Sequence, residues 1–424
     1  MLSGIQPDSL TKYGPLAQLV EQKTLNLRVS GSSPGRPTED RDTRQIEGVL
    51  LGYGAKGELT RVVTFEWRDD IEVFDELEPW WNKQVGPKNS PFLRTEWFRL
   101  WAQCRIGSGK RLCVLVAREG AAPVAAVPLL KRGARLVALS DTDTDSFDMV
   151  CVDDVRIHTA VARKLLRCTY VRVDRLDGAS RLIDNVNRSL GWRVRRALDA
   201  PYIVTADGME PVLAEMGKKL RSNVRRGERH LRSMGELSME PSTPKEQVET
   251  TLKESMQLEA SGWKGGIGRA VANSDEQARF YRQLAEVATV RDWLRLGVLR
   301  LDGRIIAFNF DLEYQGRLFG LTTSYDERLD ARCSPGHVLL LKTLEHCVQR
   351  GVQTYELGGG NDNQWKLRWT SLTRRRYDVI GFGENLSGRV GWATSALRSM
   401  LRPDSSSRSD PNQQAVLTPE VMDR

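Results

Sequence analysis

The chain contains two stretches in which three short apolar runs follow one another, joined by tight turns. Runs of this length bounded by Gly-containing turns predict an antiparallel β-meander in each stretch. Asp302-Gly303 suits a hairpin that needs positive φ. We interpret the two stretches as an internal duplication, with chance similarity of two hairpins as the alternative. The apolar runs are 111–118, 123–130 and 134–139 in the first stretch, and 293–301, 304–312 and 317–325 in the second.

Length and composition agree with two globular domains. A chain of 424 residues is long enough for two apolar cores, and its hydrophobic share of 40% and charged share of 28% exclude disorder as the main state. The sequence contains no run of about 20 mostly apolar residues, which a membrane-spanning helix would need. The six cysteines lie far apart and no histidines are paired at i, i+4, so we expect reduced thiols, no metal site and a cytoplasmic protein.

The two ends of the chain differ from the rest. Gly, Ser, Pro and Thr dominate residues 1–61, and segment 16–34 resembles the peptide obtained when a bacterial tRNA gene is translated by mistake. We therefore expect 1–61 to lie upstream of the true start codon, near Val62 or Val63, with a genuine disordered leader as the alternative. The C-terminal residues 391–424 are predicted to form a helix remnant and a disordered tail. This leaves two predicted domains, 62–205 and 206–390.

Residues 212–234, between the two meanders, predict a long helix with an apolar stripe on one side. Its other side is basic. A solvated helix face is one interpretation, and an anionic partner is the other: the phosphate of a cofactor, a lipid-linked sugar or nucleic acid. The net charge of +8 is too small to decide about nucleic acid. The basic residues are Lys218, Lys219, Arg221, Arg225, Arg226, Arg229 and Arg232.

A strand, loop, helix and strand follow one another after the second meander. The loop ends in Ser334-Pro335-Gly336, and the helix that follows ends at Gly351. Free N–H groups at a helix start can bind an anion. Ser334 can cap this helix, Pro335 suits its first turn, and Gly336 lets a ligand approach the backbone. The same residues also describe an ordinary capped turn.

Taken together, the motifs of residues 221–369 occur in an order that resembles the CelD/BcsL-type branch of the GNAT superfamily of acyltransferases. The resemblance extends from about Phe65 to Phe382. It implies an α/β protein of two tandem GNAT-like domains, each a mixed, mostly antiparallel twisted sheet flanked by helices, related in architecture to FemAB-type transferases. The motifs are Arg221 to Leu231, Glu259 to Gly265, Asp302 to Ala307, Tyr325-Asp326, Ser334-Pro335-Gly336, Leu357 to Gly360, and Trp365 to Trp369.

The resemblance implies transfer of an acetyl or other acyl group from acyl-CoA to an amino or hydroxyl group, on a cell-envelope saccharide precursor. In the superfamily the strand before the phosphate loop diverges from its neighbour and admits the pantetheine arm. Here that strand would be 319–325. The superfamily's Q/R-x-x-G-x-G/A loop is not reproduced, because Pro335 and His337 stand at its glycine positions. The implied donor-binding residues are Thr323, Ser324, Ser334, Pro335, Gly336 and His337.

Two other functions stay open: an aminoacyl-tRNA-dependent transferase of the FemAB type, and a non-catalytic binding protein with the same fold. The first would use the basic helix to hold tRNA, and its affinity would fall steeply with salt. Otherwise we expect only small-molecule partners, an acyl donor and an acceptor, and no nucleic acid.

Acyl transfer to an amine needs a base, because the ordinary pKa of an amine is about 10. Glu259 is the first candidate base and Asp326 the second, although each could instead brace a helix end or a turn. Tyr325 is the candidate proton donor to the leaving thiolate. Lys264 and Lys366 each follow a tryptophan, which suits either an anionic substrate or a lysine lying over a core aromatic ring. The predicted acceptor-binding residues are Trp263, Lys264, Glu356 and Lys366.

Overall fold

The computed structural model describes residues 47–51, 61–86, 90–186, 191–268, 270–359, 364–383 and 386–401. The predictions for residues 1–46 and for the tail beyond 401 lie outside these ranges. The strands are β1 Glu47–Leu51, β2 Arg61–Arg68, β3 Arg111–Glu119, β4 Ala122–Arg132, β5 Arg135–Ala138, β6 Val150–Cys151, β7 Tyr170–Asp177, β8 Trp192–Arg196, β9 Ala200–Val204, β10 Leu237–Glu240, β11 Leu294–Leu301, β12 Arg304–Tyr314, β13 Arg317–Tyr325, β14 Thr354–Glu356, β15 Thr373–Arg374 and β16 Arg376–Phe382.

The helices flank two mixed sheets and connect their strands. The longest of them carry apolar residues at helical spacing on the side that faces a sheet. The helices are α1 Val73–Val85, α2 Thr95–Arg105, α3 Val155–Leu166, α4 Arg181–Val186, α5 Met209–Glu215, α6 Lys218–Met234, α7 Val248–Ser261, α8 Trp263–Gly266, α9 Asp275–Val290, α10 Pro335–Arg350 and α11 Leu386–Leu401.

Both predicted meanders are present, one in each sheet. Among the described residues the first sheet has the strand order β1-β2-β3-β4-β5-β7-β16-β8, with β6 paired to β4. The second sheet has the order β10-β11-β12-β13-β14-β9-β15. In each sheet the last strand of the meander runs parallel to the strand that follows the next helix, so β5-α3-β7 corresponds to β13-α10-β14. This is an α/β protein with two GNAT-like domains.

The two halves exchange one strand each. β9 follows the first half along the chain but lies in the second sheet, between β14 and β15. β16 follows the second half but lies in the first sheet, between β7 and β8. The proposed boundary at residue 205 stays a prediction along the chain, but the two sheets cross it. The predicted extension 1–61 includes β1, which pairs with β2 at the edge of the first sheet.

An aromatic cluster joins the halves through the core. Phe92 from the first half contacts Phe319 of β13 edge-on, with ring centroids 5.5 Å apart. Trp97 of α2 contacts both Phe92 and Phe280 of α9, at 4.7 and 5.3 Å. All four rings are buried, so the two halves share one continuous apolar core at this junction. Within the described ranges, no helix is both long enough and apolar enough to cross a membrane.

Candidate active site

The strands β13 and β14 diverge after a short parallel pairing. They pair from Arg317↔Thr354 to Phe319↔Glu356, while β13 continues to residue 325. Beyond Phe319, β13 pairs only with β12 in the described part of the chain. After β14 the chain turns away at Gly358, whose φ of 70° suits glycine. We call the opening between residues 321–325 and the chain after Gly358 the strand gap. It is the divergence that the sequence predicts.

The first turn of α10 lies beside the end of β13. A Cβ placed on Gly336 would lie 3.2 Å from the Tyr325 ring, so glycine is what lets the strand end approach the helix start. Ser334 caps the helix differently from the prediction. It has φ 44° and ψ 51°, and its Oγ donates to the carbonyl of Ala331 at 3.2 Å rather than accepting a helix N–H.

The backbone of this turn offers few free donors. The carbonyl of Ser334 accepts the N–H groups of His337 and Val338, at 3.0 and 3.1 Å, and Pro335 has none. The N–H of Gly336 has no acceptor among the described residues. A phosphate here would therefore meet fewer backbone donors than a helix start can supply.

Glu259 and Lys264 form a buried ion pair on β13, next to the strand gap. Lys264 Nζ donates to Glu259 Oε1 at 2.8 Å, to the Thr322 hydroxyl at 3.1 Å and to the Thr323 carbonyl at 2.8 Å. The Thr322 hydroxyl donates to the same Oε1 at 2.9 Å, and the N–H of Val271 donates to Oε2 at 2.8 Å. Glu259 is 1% exposed. Its carboxylate is enclosed by these donors, so the geometry favours a role in positioning β13 over direct contact with an acceptor.

Asp326 lies at the far end of β13 and is also paired. Its carboxylate accepts from Arg328 at 2.8 Å and from Arg304 at 3.0 Å. The Arg328 guanidinium holds the pKa of Asp326 below its ordinary value, which weakens it as a base. Glu259 contacts β13 at Thr322, four residues earlier, and four strand residues span about 13 Å. The two candidate bases therefore belong to different places along the strand.

Tyr325 is the most open of the three predicted catalytic residues. Its side chain is 40% exposed and its ring lies over Gly336 at the mouth of the strand gap. Partial burial, with a smaller contribution from Glu327, raises the pKa of Tyr325. The phenol is thus protonated at neutral pH and can donate a hydrogen bond.

Among the predicted donor-binding residues of β13, Thr323 is exposed and Ser324 is buried. The Thr323 hydroxyl donates to the Phe308 carbonyl at 2.9 Å, and its own carbonyl accepts from Lys264. Thr323 is therefore held in the sheet by its side chain while its backbone is tied to the ion pair. Ser324 faces inward at the register position opposite Phe308.

Glu356 marks the point at which the two strands part. It is 1% exposed, and both of its oxygens accept from Arg374 at 2.7 Å, while Arg317 contributes 2.8 Å. Burial alone would raise the pKa of Glu356, but Arg374 and Arg317 together hold it below its ordinary value. The paired carboxylate fixes the vertex of the strand gap and joins β13, β14 and β15.

His337 belongs to an aromatic group rather than to a cationic phosphate site. Trp369 Nε1 donates to His337 Nδ1 at 3.0 Å, which leaves the ring proton on Nε2. Burial, together with nearby Arg368, lowers the pKa of His337 to about 4, so the ring is neutral at pH 7. Trp365 lies edge-on to the same ring at 6.3 Å.

The two predicted lysines differ in their surroundings. Lys264 is tied to Glu259, whereas Lys366 Nζ donates to the Gly358 carbonyl at 3.2 Å and lies 5.6 Å from the Trp365 ring centroid. Lys366 therefore anchors the chain where it turns away from β13. The side chain of Trp263, the remaining predicted acceptor-binding residue, lies outside what the structure describes.

A second buried polar group lies under α10, and the sequence analysis missed it. Tyr355 donates to both oxygens of Asp311 at 3.1 Å, and the Asn309 amide donates to Asp311 as well. Burial raises the pKa of Asp311 to about 8 despite these bonds. Asn309 and Asp311 are polar residues two apart in an otherwise apolar strand, which places both on one face. That spacing is the signal that could have found them.

Comparison with known proteins agrees with this geometry. The family described as "Acetyltransferase (GNAT) domain" matches residues 218–367, less than half of the chain, and that range includes α10 and both diverging strands. Comparison with the curated proteins gives no match.

Solved structures have the same fold at low identity. The C-terminal domain of a proposed lysylphosphatidylglycerol synthetase from Agrobacterium fabrum is 16% identical, with 77% of this chain and 95% of that chain covered and a TM-score of 0.50. FemX is 10% identical, with 74% and 98% covered and a TM-score of 0.49. A tandem GNAT protein from the clavulanic acid biosynthesis pathway is 13% identical, with 76% and 99% covered and a TM-score of 0.45. At such identities the likeness concerns the fold alone.

The fold, the diverging strands and the family match define the class of protein. It is an enzyme of the acyltransferase type that carries a GNAT acetyltransferase domain in its second half.

Proposed function

We propose that the protein transfers an acyl group from acyl-CoA to an amino or hydroxyl group. The observation that carries this proposal is the strand gap, in which β13 presents backbone groups without a sheet partner on the β14 side. An extended amide-containing arm such as pantetheine can pair with such an edge. When bound, acyl-CoA would supply the activated thioester. Thr323 and the turn formed by Ser334, Pro335 and Gly336 would hold it.

The chemistry forms one bond and breaks one. The acceptor nitrogen or oxygen attacks the thioester carbonyl carbon, the carbon–sulfur bond breaks, and the thiolate takes up a proton. We assign that proton donation to Tyr325, since its hydroxyl is protonated and lies at the mouth of the strand gap. Glu259, paired with Lys264, positions β13 and the Thr323 carbonyl.

No described carboxylate beside the gap is both exposed and free, so an amine acceptor loses its proton to solvent. The transfer rate should then rise about tenfold per pH unit until the pKa of the amine itself is reached. A plateau near neutral pH would instead identify a protein base, with Glu259 and Asp326 as the candidates. Glu259→Gln and Asp326→Asn separate these two.

The acceptor that we propose is a cell-envelope saccharide precursor, and this part rests on the resemblance to the CelD/BcsL branch alone. A second candidate donor is aminoacyl-tRNA, as in FemAB-type transferases. The observation that favours it is the reduced set of free N–H groups at the start of α10, which offers little to a pyrophosphate.

The test is ligand-induced stabilisation of the full chain. Acetyl-CoA at 100 times its dissociation constant should stabilise the fold by about 2.7 kcal/mol, seen as a rise in Tm. Aminoacylated tRNA is titrated in parallel. A rise with acetyl-CoA alone supports the proposal, a rise with charged tRNA alone supports the second candidate, and no rise with any acyl-CoA refutes the first.

A matched variant tests the role of Tyr325. Tyr325→Phe keeps the ring on Gly336 and removes the hydroxyl. Binding of the acyl donor should be unchanged, while the transfer rate should fall about 100-fold, the usual size of a lost proton donor. An unchanged rate would remove Tyr325 from the mechanism and leave the donor site intact.

A further inference from the structure

The exposed face of α6 concentrates most of the charge of the protein. The helix has 17 residues, which span about 25 Å. Seven basic residues against one acidic residue give it most of the net charge of +8. Six of the seven are exposed, and Arg221 is half-buried. We call these seven side chains the basic face of α6, and they are Lys218, Lys219, Arg221, Arg225, Arg226, Arg229 and Arg232.

The opposite side of α6 is fixed to the protein. Leu220, Val224 and Leu231 are buried in the core of the second half. Gly227 packs against the turn that precedes α10, since a Cβ there would lie 2.4 Å from the Cys333 carbonyl oxygen. The basic face is therefore held rigidly, on the same edge of the molecule as the start of α10.

The charges of this face are largely uncompensated. In the described part of the chain, Arg232 pairs with Glu228 at 2.9 Å. Lys218, Lys219 and Arg225 form no ion pair there. A row of free cations on one side of a straight helix produces a positive potential that extends about 10 Å into solvent at moderate salt.

Two exposed apolar side chains flank the basic face. Met234 ends α6 and is 45% exposed. Leu372 is 37% exposed and lies near the other end, because Ser371 donates to Glu215 just before α6 at 2.7 Å. Cations flanked by apolar side chains suit the interface of an anionic bilayer. The helix has no aromatic residue on which unpaired bases could stack, which disfavours single-stranded nucleic acid.

We propose that the basic face of α6 docks the protein on an anionic lipid surface. Because Gly227 joins α6 to the turn before α10, docking would hold the edge that contains the strand gap close to the membrane plane. An acceptor carried by a lipid could then reach the gap. The docking itself does not depend on the proposed transferase activity, so each can fail without the other.

The test is sedimentation of the full chain with vesicles. Phosphatidylcholine vesicles are compared with vesicles of phosphatidylcholine mixed with phosphatidylglycerol. We expect binding to the mixed vesicles only, and binding that weakens as salt is added. Each basic residue contributes about fivefold to membrane partition, so Arg225→Ala/Arg226→Ala/Arg229→Ala should weaken binding about 100-fold.

A control with the same loss of charge makes the result specific. Arg111→Ala/Arg132→Ala/Arg163→Ala removes three exposed arginines from the first half and should retain binding. The proposal is overturned if both triple variants lose binding equally, or if vesicle composition has no effect. It is also overturned if tRNA, and not mixed vesicles, binds through Arg225, Arg226 and Arg229. Should the α6 variant fail to fold, salt-resistant binding of the unaltered chain to mixed vesicles overturns it equally.

Discussion

The two halves of the molecule build the same unit and finish it differently. In the second half β13 and β14 part after Phe319↔Glu356 and stay apart. In the first half β5 and β7 pair over Arg135↔Tyr170 to Val137↔Arg172, and the chain then returns to β7 through a bridge between Phe147 and Leu176. The first half thus fills with its own chain the place that the second half leaves open.

The helix starts differ in the same sense. In the first half Asp154 caps α3, and its carboxylate accepts the N–H of Arg156 at 2.9 Å. In the second half the cap residue of α10 is Ser334, whose side chain makes no bond to the helix. A carboxylate occupies the anion position of one helix, and no acidic side chain occupies that of the other. The comparison explains how one half can bind a donor while its duplicate only supports the fold.

The largest expected effect comes from opening the closed half. Phe147 is fully buried and its ring contacts Phe98 at 5.9 Å. Phe147→Ala should lower the free energy of unfolding by about 3–5 kcal/mol, measured by urea denaturation. Tyr325→Ala, at the strand end of the open half, is the matched control and should cost less than about 1 kcal/mol because the side chain is 40% exposed. Equal costs would mean that Phe147 does not close the first half.

The open half needs a different brace, and Lys264 supplies it. Lys264→Met leaves the carboxylate of Glu259 buried without its cation, which should cost about 2–4 kcal/mol in urea denaturation. The double variant Lys264→Met/Glu259→Gln removes both charges and should recover part of that loss. If the double variant is as unstable as the sum of the two single variants, the ion pair is not what holds β13.

The sheets under the two helices also differ, since β4 is apolar where β12 carries Asn309 and Asp311. A raised pKa in the folded state means that the fold keeps a proton which the unfolded chain releases. Stability is therefore highest below the ordinary pKa of 3.8 and is lost as pH rises towards about 8. The slope is at most about 1.4 kcal/mol per pH unit.

Asp311→Asn removes this slope. Its stability advantage over the unaltered chain should grow by about 2 kcal/mol between pH 5 and pH 7, followed by urea denaturation at each pH. The Asn309 amide can reverse to pair with the new side chain, because its Oδ1 has no partner among the described residues. An advantage that does not change with pH would show that Asp311 is ionised in the fold.

The sequence predicts the parts of this fold that are local. Asp302-Gly303 and Gln315-Gly316 form the hairpins β11-β12 and β12-β13, both with positive φ, and α10 ends at Gly351 as its cap predicts. The exchange of β9 and β16 is not local. Either strand is a short apolar run that could pair in either sheet, and only contacts far along the chain decide between them.

The same distinction applies to the candidate site. Residue types and order single out Glu259, Lys264, Tyr325 and Asp326. They do not reveal that Lys264 turns back to Glu259 across the end of α7, or that Arg328 and Arg304 close around Asp326. A carboxylate that looks like a base in the sequence becomes a brace once its partners are known. Burial and pairing depend on the fold, so roles are less predictable than positions.

The smallest expected effect tests the comparison of the helix starts most directly. Ser334→Asp gives α10 the acidic cap that Asp154 gives α3, at a position whose positive φ aspartate tolerates. A carboxylate beside a bound phosphate should weaken acetyl-CoA binding about tenfold, the effect of roughly 1.4 kcal/mol of repulsion. Ser334→Asn is nearly the same size without the charge and should bind within about twofold of the unaltered chain, measured by calorimetry. If both variants bind alike, the start of α10 does not face the donor's phosphates. The strand gap would then have to hold its donor without them, as the smaller set of free N–H groups at this turn already favours.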